Sequence, residues 1–441
     1  MALVLIQVEI LIKRMLNHFI DHKKNIFIVS FMGVFNILAS FIGIRLMTQF
    51  IHPSTFGEYK VVMSAISVLV GFVSLPIIQY AMRAIHDSNK ELSEFNHEND
   101  VKNLFNIYVI ISSFLIFLIY IFLPNNLDFK NEYILLIPII FFLTCNISYE
   151  TSINISKNNQ LKASLINFLN RLFIPIAIVF VVITIRENVF LILLSTIFAQ
   201  LIILIYAKSQ NKVMKNKDNY FWPKKKLIKG AFFYGWPLAL IAIFSWIVNE
   251  GDRLILINYH GSAEVGFYSV AHGVIATPFI AASGIISQFL YPIFFRNSQS
   301  QSRINEIVTK LLPLNTLIAF LGVIFVFIFD EYIAFIAMSN EYQLGAKNLF
   351  IWIAIGYALF FISSSFDLAA YSNKKTSDML IAYLIAAIAK LILSFLLIPK
   401  FAGFGAAIAT MISLFFYLIT MIVIYYLRIL SMKKSQQKMS L

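Results

Sequence analysis

Seven ionisable side chains interrupt otherwise apolar stretches of this sequence: the cations Arg45, Arg171 and Lys390, and the acids Glu150, Glu250, Asp252 and Asp367. At membrane depth an ionisable group costs about 2.5–3.5 kcal/mol on insertion scales, so it faces water, a partner or a ligand. Arginine grips phosphate bidentately and lysine acts as a point charge, so the three cations are read as a positive cavity lining for an anionic substrate. The alternative is a buried ion pair with Glu150, Glu250 or Asp367, or snorkelling of the long side chain to the interface. The four acids are candidates for proton or sodium coupling, with pairing at helix ends as the ordinary alternative. Arg253, beside Asp252 and near the interface, reads as paired. No Gly-rich Lys-Ser/Thr phosphate loop, no Gly-x-Ser-x-Gly and no Cys/His cluster occurs, so neither catalytic residues nor a cofactor or metal is expected. Cys145, the single cysteine, lies in an apolar stretch and reads as packing.

These side chains need elements to carry them, and composition sets the solvent. Of 441 residues 59% are hydrophobic and 13% charged, and mean hydropathy is +0.80, more apolar surface than a soluble core can hide. A helix crosses about 30 Å of hydrocarbon with roughly 20 apolar residues. Such stretches recur at 26–51, 59–82, 101–123, 133–153, 161–183, 190–206, 231–259, 265–294, 307–329, 346–366, 379–398 and 403–427, which predicts an all-α integral membrane protein of about twelve crossings. Residues 1–25 hold one apolar run too short to span, followed by Lys13, Arg14, Lys23 and Lys24, and read as an uncleaved cytoplasmic amphipathic arm.

Basic residues collect on the cytoplasmic side. With both termini inside, the inner segments hold 26 of the 35 lysines and arginines; Lys60, Lys130, Arg186, Arg253, Lys347 and Lys400 fall in outer loops. The formal net charge of +13 therefore tracks topology and forms no single groove, which argues against nucleic acid as a partner.

The longest basic loop, 208–229, divides the chain into a bundle over 26–207 and a second over 230–428, with a cytoplasmic tail over 429–441. An internal repeat supports the division. Gly43, Arg45, Leu46, His52, Ser54, Gly57 and Tyr59 recur as Gly251, Arg253, Leu254, His260, Ser262, Gly266 and Tyr268, at an offset of 208 through the serine and 209 after it. Six crossings per half make the repeat parallel, with a pseudo-two-fold axis along the membrane normal and a cavity between the bundles. Arg171-Leu172 and Lys390-Leu391 echo each other near mid-membrane, as do Ser148-Tyr149-Glu150 and Ser365-Phe366-Asp367 at the cytoplasmic side.

Four segments, 45–59 (RLMTQFIHPSTFGEY), 233–237 (FYGWP), 252–268 (DRLILINYHGSAEVGFY) and 397–407 (LIPKFAGFGAA), resemble the polysaccharide-export branch of the superfamily that also holds multidrug extruders and lipid II flippases, the O-antigen flippases above all. The resemblance implies alternating access between two six-helix bundles and a cargo of undecaprenyl-pyrophosphate-linked oligosaccharide, moved across a bacterial inner membrane with coupling to an ion gradient. It also implies, as partners, the bilayer, a polysaccharide polymerase and a chain-length regulator. A drug or cation extruder, which would need an acid-dominated cavity, and a membrane-bound glycosyl- or acyltransferase, which would need large loops, are the rival readings.

Overall fold

A computed structural model describes residues 23–86, 97–122, 133, 135–157, 159–210, 225–296, 301–372 and 375–439. Most of the expected arm over 1–25 and the centre of the 208–229 loop lie outside the described residues.

The described chain is helical from end to end. The first bundle holds α1 (Lys23–Phe50), α2 (Pro53–His86), α3 (His97–Phe122), α4 (Leu136–Ser156), α5 (Gln160–Thr184) and α6 (Val189–Gln210). The second begins with α7 (Lys225–Glu250). The run Asp252–Arg296 follows, then α9 (Gln301–Ala337), a short helix and 3-10 turn over 340–349, α10 (Phe350–Ser372) and the run Thr376–Met439.

The two long runs each fold back on themselves. In an unbroken helix, residues 16 apart would be about 24 Å apart. Yet the Tyr268 hydroxyl donates to Asp252 Oδ2 at 2.5 Å, and Lys390 Nζ donates to the Ala406 carbonyl at 3.3 Å. The reversals are at Gly261 (φ 82°) and Ala402 (φ 50°). Residues 252–260 thus complete the seventh crossing, and 262–296 form α8, 376–401 form α11 and 403–439 form α12. Ten apolar stretches long enough to span become twelve crossings once the two longest, of 60 and 55 residues, are divided this way.

Such tight reversals strand backbone groups, and side chains from the neighbouring hairpin recover them. His260 Nε2 bonds the Ile398 carbonyl at 2.7 Å, and Glu264 Oε1 accepts the first N–H of α12, from Gly403, at 2.9 Å.

The repeat is visible as packing. A Cβ on Gly57 would lie 1.7 Å from the Ser262 carbonyl, and one on its repeat mate Gly266 would lie 2.2 Å from the Pro53 carbonyl. The first turns of α2 and α8 therefore cross at a distance that only glycine allows. Along the seam α1 packs on α8, through Gly33 with Ile285 and Ile44 with Gly273, while α7 packs on α2, through Ala242 with Gly71 and Gly235 with Pro76. Exchanging α1 with α7 and α2 with α8 reproduces the same contacts, which is the pseudo-two-fold relation the repeat predicts. Around the perimeter, Phe180, Ile205 and Phe327 are 66%, 68% and 70% exposed, an arrangement suited only to hydrocarbon as solvent.

Candidate functional site

The two mid-membrane cations have opposite surroundings. Lys390, on α11, does not line a cavity: it is 1% exposed, and its ammonium lies 2.6 Å from Asp252 Oδ2, inside the seventh crossing. It also donates to Thr410 Oγ1 and the Ala406 carbonyl, both on α12. The same carboxylate oxygen accepts the Tyr268 hydroxyl, so the lysine's charge is matched inside the second bundle. The pairing acid is Asp252, which the expected partners did not include.

Arg171 is the counterpart on α5. The repeat places Ile44 where the second bundle has Asp252, so the first bundle has no acid at that position. Arg171 is exposed, its guanidinium donates to Ser40 Oγ on α1 at 2.5 Å, and among the described residues no carboxylate lies within ion-pair distance of it. Asn167 stands one turn earlier on the same face and is exposed too. That face points away from lipid, because Phe180, the most exposed large apolar side chain of α5, is nine residues on, about two and a half turns. On α1, Ser40 donates to the Asn36 carbonyl, and the buried Asn36 Oδ1 has no partner among the described groups. Arg171, Asn167, Ser40 and Asn36 thus form a polar patch between α1 and α5, one positive charge in excess.

Arg45 is elsewhere again. Its guanidinium bonds the Phe335 carbonyl at 3.1 Å and the Met338 carbonyl, capping the C-terminal end of α9 in the opposite bundle, where the negative pole of the helix favours a cation. The same end of the seam carries Ser339 Oγ donating to the Thr48 carbonyl at 2.6 Å, Tyr342 donating to the Ile51 carbonyl at 2.9 Å, and His52 beside Glu341. A few turns down, Ser67 of α2 donates to Glu250 Oε2 at 3.0 Å and Trp246 donates to the Ser64 carbonyl at 2.8 Å. The hairpin end of the two bundles is therefore stitched together. The three cations expected to form one lining are at three separate places.

The acids are likewise separated. Glu150 is buried and paired with Lys102 at 3.1 Å, and Glu250 is paired with Arg253 at 2.9 Å. Asp367 on α10 accepts the Tyr417 hydroxyl at 2.9 Å, with no cation within ion-pair distance among the described residues. Two residues that the sequence reading left in outer loops belong to this interior: Arg253 is 7% exposed, and Lys60 lies within electrostatic reach of both Glu250 and Arg253. The missed signal is where the helices start. α2 begins at Pro53, so Lys60 already lies two turns into the bundle.

A cavity of about 240 Å³ opens between α1, α8, α9 and α10. Its walls are wholly apolar, with Phe41, Phe279, Ala282, Gly322, Phe325 and Phe361 among them, so it is no cationic chamber.

Comparison with known proteins agrees with this fold. The sequence matches the family described as polysaccharide biosynthesis protein over residues 22–298. Among curated proteins none matches by sequence. An inward-facing multidrug resistance MATE-family transporter of the MOP superfamily superposes with a TM-score of 0.69 at 13% identity, over 91% of this chain and 96% of that one. The lipid II flippase MurJ, in an inward closed conformation, superposes with 0.67 at 14% identity, over 90% and 86%. A MOP-superfamily transporter from Pyrococcus furiosus, described as having a binding pocket of reverse polarity, superposes with 0.60 at 13% identity, over 93% and 99%.

Proposed function

The chain belongs to the polysaccharide biosynthesis protein family, with the fold of the MOP-superfamily transporters, and on that footing we propose that it flips a polyprenyl-pyrophosphate-linked oligosaccharide across the membrane by alternating access. It is a transporter, not an enzyme. The observation that carries the cargo reading is the asymmetry between the bundles: Lys390 is neutralised by Asp252, whereas Arg171, with Ile44 at the matching position of α1, is left for an anion. A pyrophosphate suits that place, because a guanidinium grips it through two parallel donors while the Asn167 amide supplies a further one. A cationic drug would meet net repulsion there.

Undecaprenyl pyrophosphate and a glycan of O-antigen type are the form of this cargo that the family resemblance favours. The same reading puts the protein in a bacterial inner membrane with both termini cytoplasmic, where the excess of Lys and Arg lies, and makes a polymerase and a chain-length regulator its successors on the cargo. On this view Arg45 serves the hairpin end as a latch that must open in the outward-facing state. Lys390 serves as an internal support, and Asp367 is the leading candidate for proton coupling.

The test is complementation of a strain lacking its own lipid-linked oligosaccharide flippase and supplied with the matching glycan. Wild type restores surface polymer, and Arg171→Ala at equal membrane abundance leaves lipid-linked intermediate facing the cytoplasm. A wild-type protein that is inert with its own glycan would sink the flippase reading.

A further inference from the structure

The apolar cavity between α1, α8, α9 and α10 lies at the depth of Arg171. Phe41, which forms one of its walls, is 11 residues below His52 at the hairpin end, about 16 Å along α1, and follows Ser40, the hydroxyl that Arg171 holds. Consecutive residues on a helix point about 100° apart. Ser40 therefore turns towards the polar patch on α5 while Phe41 turns towards the cavity, and α1 alone separates an excess positive charge from an apolar pocket.

The cavity exists because α1 and α9 part below their junction. Their described hydrogen bonds, Arg45 to Phe335 and Met338 and Thr48 with Ser339, all belong to the hairpin end. Deeper in the membrane the wall residues Ile318 and Phe325 of α9 are 39% and 56% exposed, so the opening faces lipid. Gly322 keeps the space clear, since a Cβ there would already lie 3.0 Å from Phe279 Cε1. A dry apolar cavity of about 150 Å³ takes a benzene, so by the same measure this one takes roughly ten carbons of branched hydrocarbon.

Resting on the flippase reading, we propose that this cavity holds a segment of the cargo's own polyprenyl chain while Arg171 holds its pyrophosphate, so that α1 is straddled by one amphiphile. A headgroup site and a tail site on two sides of one helix turn explain how a lipid enters without leaving hydrocarbon. They also give the protein a way to prefer a branched polyprenyl chain over the straight acyl chains around it.

The experiment uses the full-length protein in liposomes with a polyprenyl diphosphate carrying no sugar. The probe is that polyprenyl diphosphate or, in a parallel arm, a phospholipid, with a photoreactive diazirine on its chain, and labelling is read residue by residue at Ala282 inside the cavity and, as a control, at Phe320 on the lipid face of α9. The expected result is labelling at position 282 that saturates and is competed by unlabelled polyprenyl diphosphate, with unsaturable labelling at 320. Filling the cavity by Gly322→Leu should weaken capture and flipping by about tenfold or more, the loss of roughly two buried methylenes. Dimethylallyl diphosphate, whose five carbons are too few to rely on the cavity, should bind equally to wild type and variant. Should Gly322→Leu not elute as a folded protein, Ala282→Met fills the opposite wall and is held to the same expectation. Wild-type flipping with no competed label at 282, or unchanged capture by the filled variants, would overturn the tail site and leave the flippase reading intact. Bulk phospholipid labelling 282 as strongly as polyprenyl diphosphate would overturn it equally, and failure of wild type to flip its own cargo would overturn both.

Discussion

Removing the carboxylate of Asp252 should do more harm than removing the whole ion pair. Lys390 is 1% exposed and Asp252 equally buried, 2.6 Å apart, so Asp252→Ala leaves an ammonium with only Thr410 and a backbone carbonyl. Breaking a buried pair from one side costs about 3–5 kcal/mol, whereas replacing both partners by apolar side chains of similar volume is often neutral. Asp252→Leu with Lys390→Met should therefore return to within about 1 kcal/mol of wild type, which against two singles of about 3–5 kcal/mol each is a coupling of at least about 5 kcal/mol. Tyr268 keeps a partner in that double variant, because Thr410 Oγ1 lies 3.0 Å from its hydroxyl. Thermal unfolding of detergent-purified protein, read by loss of the monodisperse peak, measures all four corners of the cycle, and flipping is assayed on the same preparations. The reasoning is refuted if the double variant is as unstable as the two singles added together, or if both singles are silent. A double variant that is stable but inactive would make Lys390 a cargo contact after all.

Three further outcomes follow from the geometry. Gly57→Ala, and separately Gly266→Ala, place a methyl group against backbone that cannot yield, so each should destabilise by about 1–3 kcal/mol and lower membrane abundance. Ala402→Gly should instead stabilise by about 1 kcal/mol, seen as a raised unfolding temperature, because a φ of 50° suits glycine and strains alanine. Cysteines at positions 48 and 339, whose backbone and side chain already meet at 2.6 Å, should crosslink the hairpin end on mild oxidation and stop transport until reduced. With Cys145 buried the background is low, and transport continuing through a crosslinked hairpin end would remove the latch from the mechanism.

How much of this structure is legible in the sequence depends on what each pattern encodes. Run lengths of apolar residues report burial in lipid, so all twelve crossings and their order were legible, even where a single residue such as Gly261 or Ala402 separates two of them. The matched windows around Gly57 and Gly266 also placed the axis, since a glycine retained in both copies marks a close approach. Side-chain partnership was not legible, because it depends on the rotational phase of one helix against another. Lys390 and Asp252 are 138 residues apart, and no local spacing brings them together. The sequence carries Gly-Ile-Arg in one copy and Gly-Asp-Arg in the other, but the consequence of that difference depends on α11 leaning its lysine on Asp252 of the seventh crossing. Arg45 was misplaced for a similar reason: at the hairpin end α9 breaks at Phe329 and presents its last carbonyls to α1, an irregularity that no hydrophobic pattern announces.

The central claim is that Arg171 of the first bundle, which has no carboxylate partner among the described residues, and not the paired lysine of the second, receives the anionic part of a lipid-linked cargo. Binding of a polyprenyl diphosphate to the protein in nanodiscs, compared among wild type, Arg171→Ala and the Asp252→Leu, Lys390→Met double variant, tests it directly. A hydrogen bond to a charged group is worth about 1.5–3 kcal/mol, so Arg171→Ala should weaken binding roughly 10- to 150-fold while the double variant binds as wild type does. Equal binding by wild type and Arg171→Ala, or loss confined to the double variant, would contradict the account.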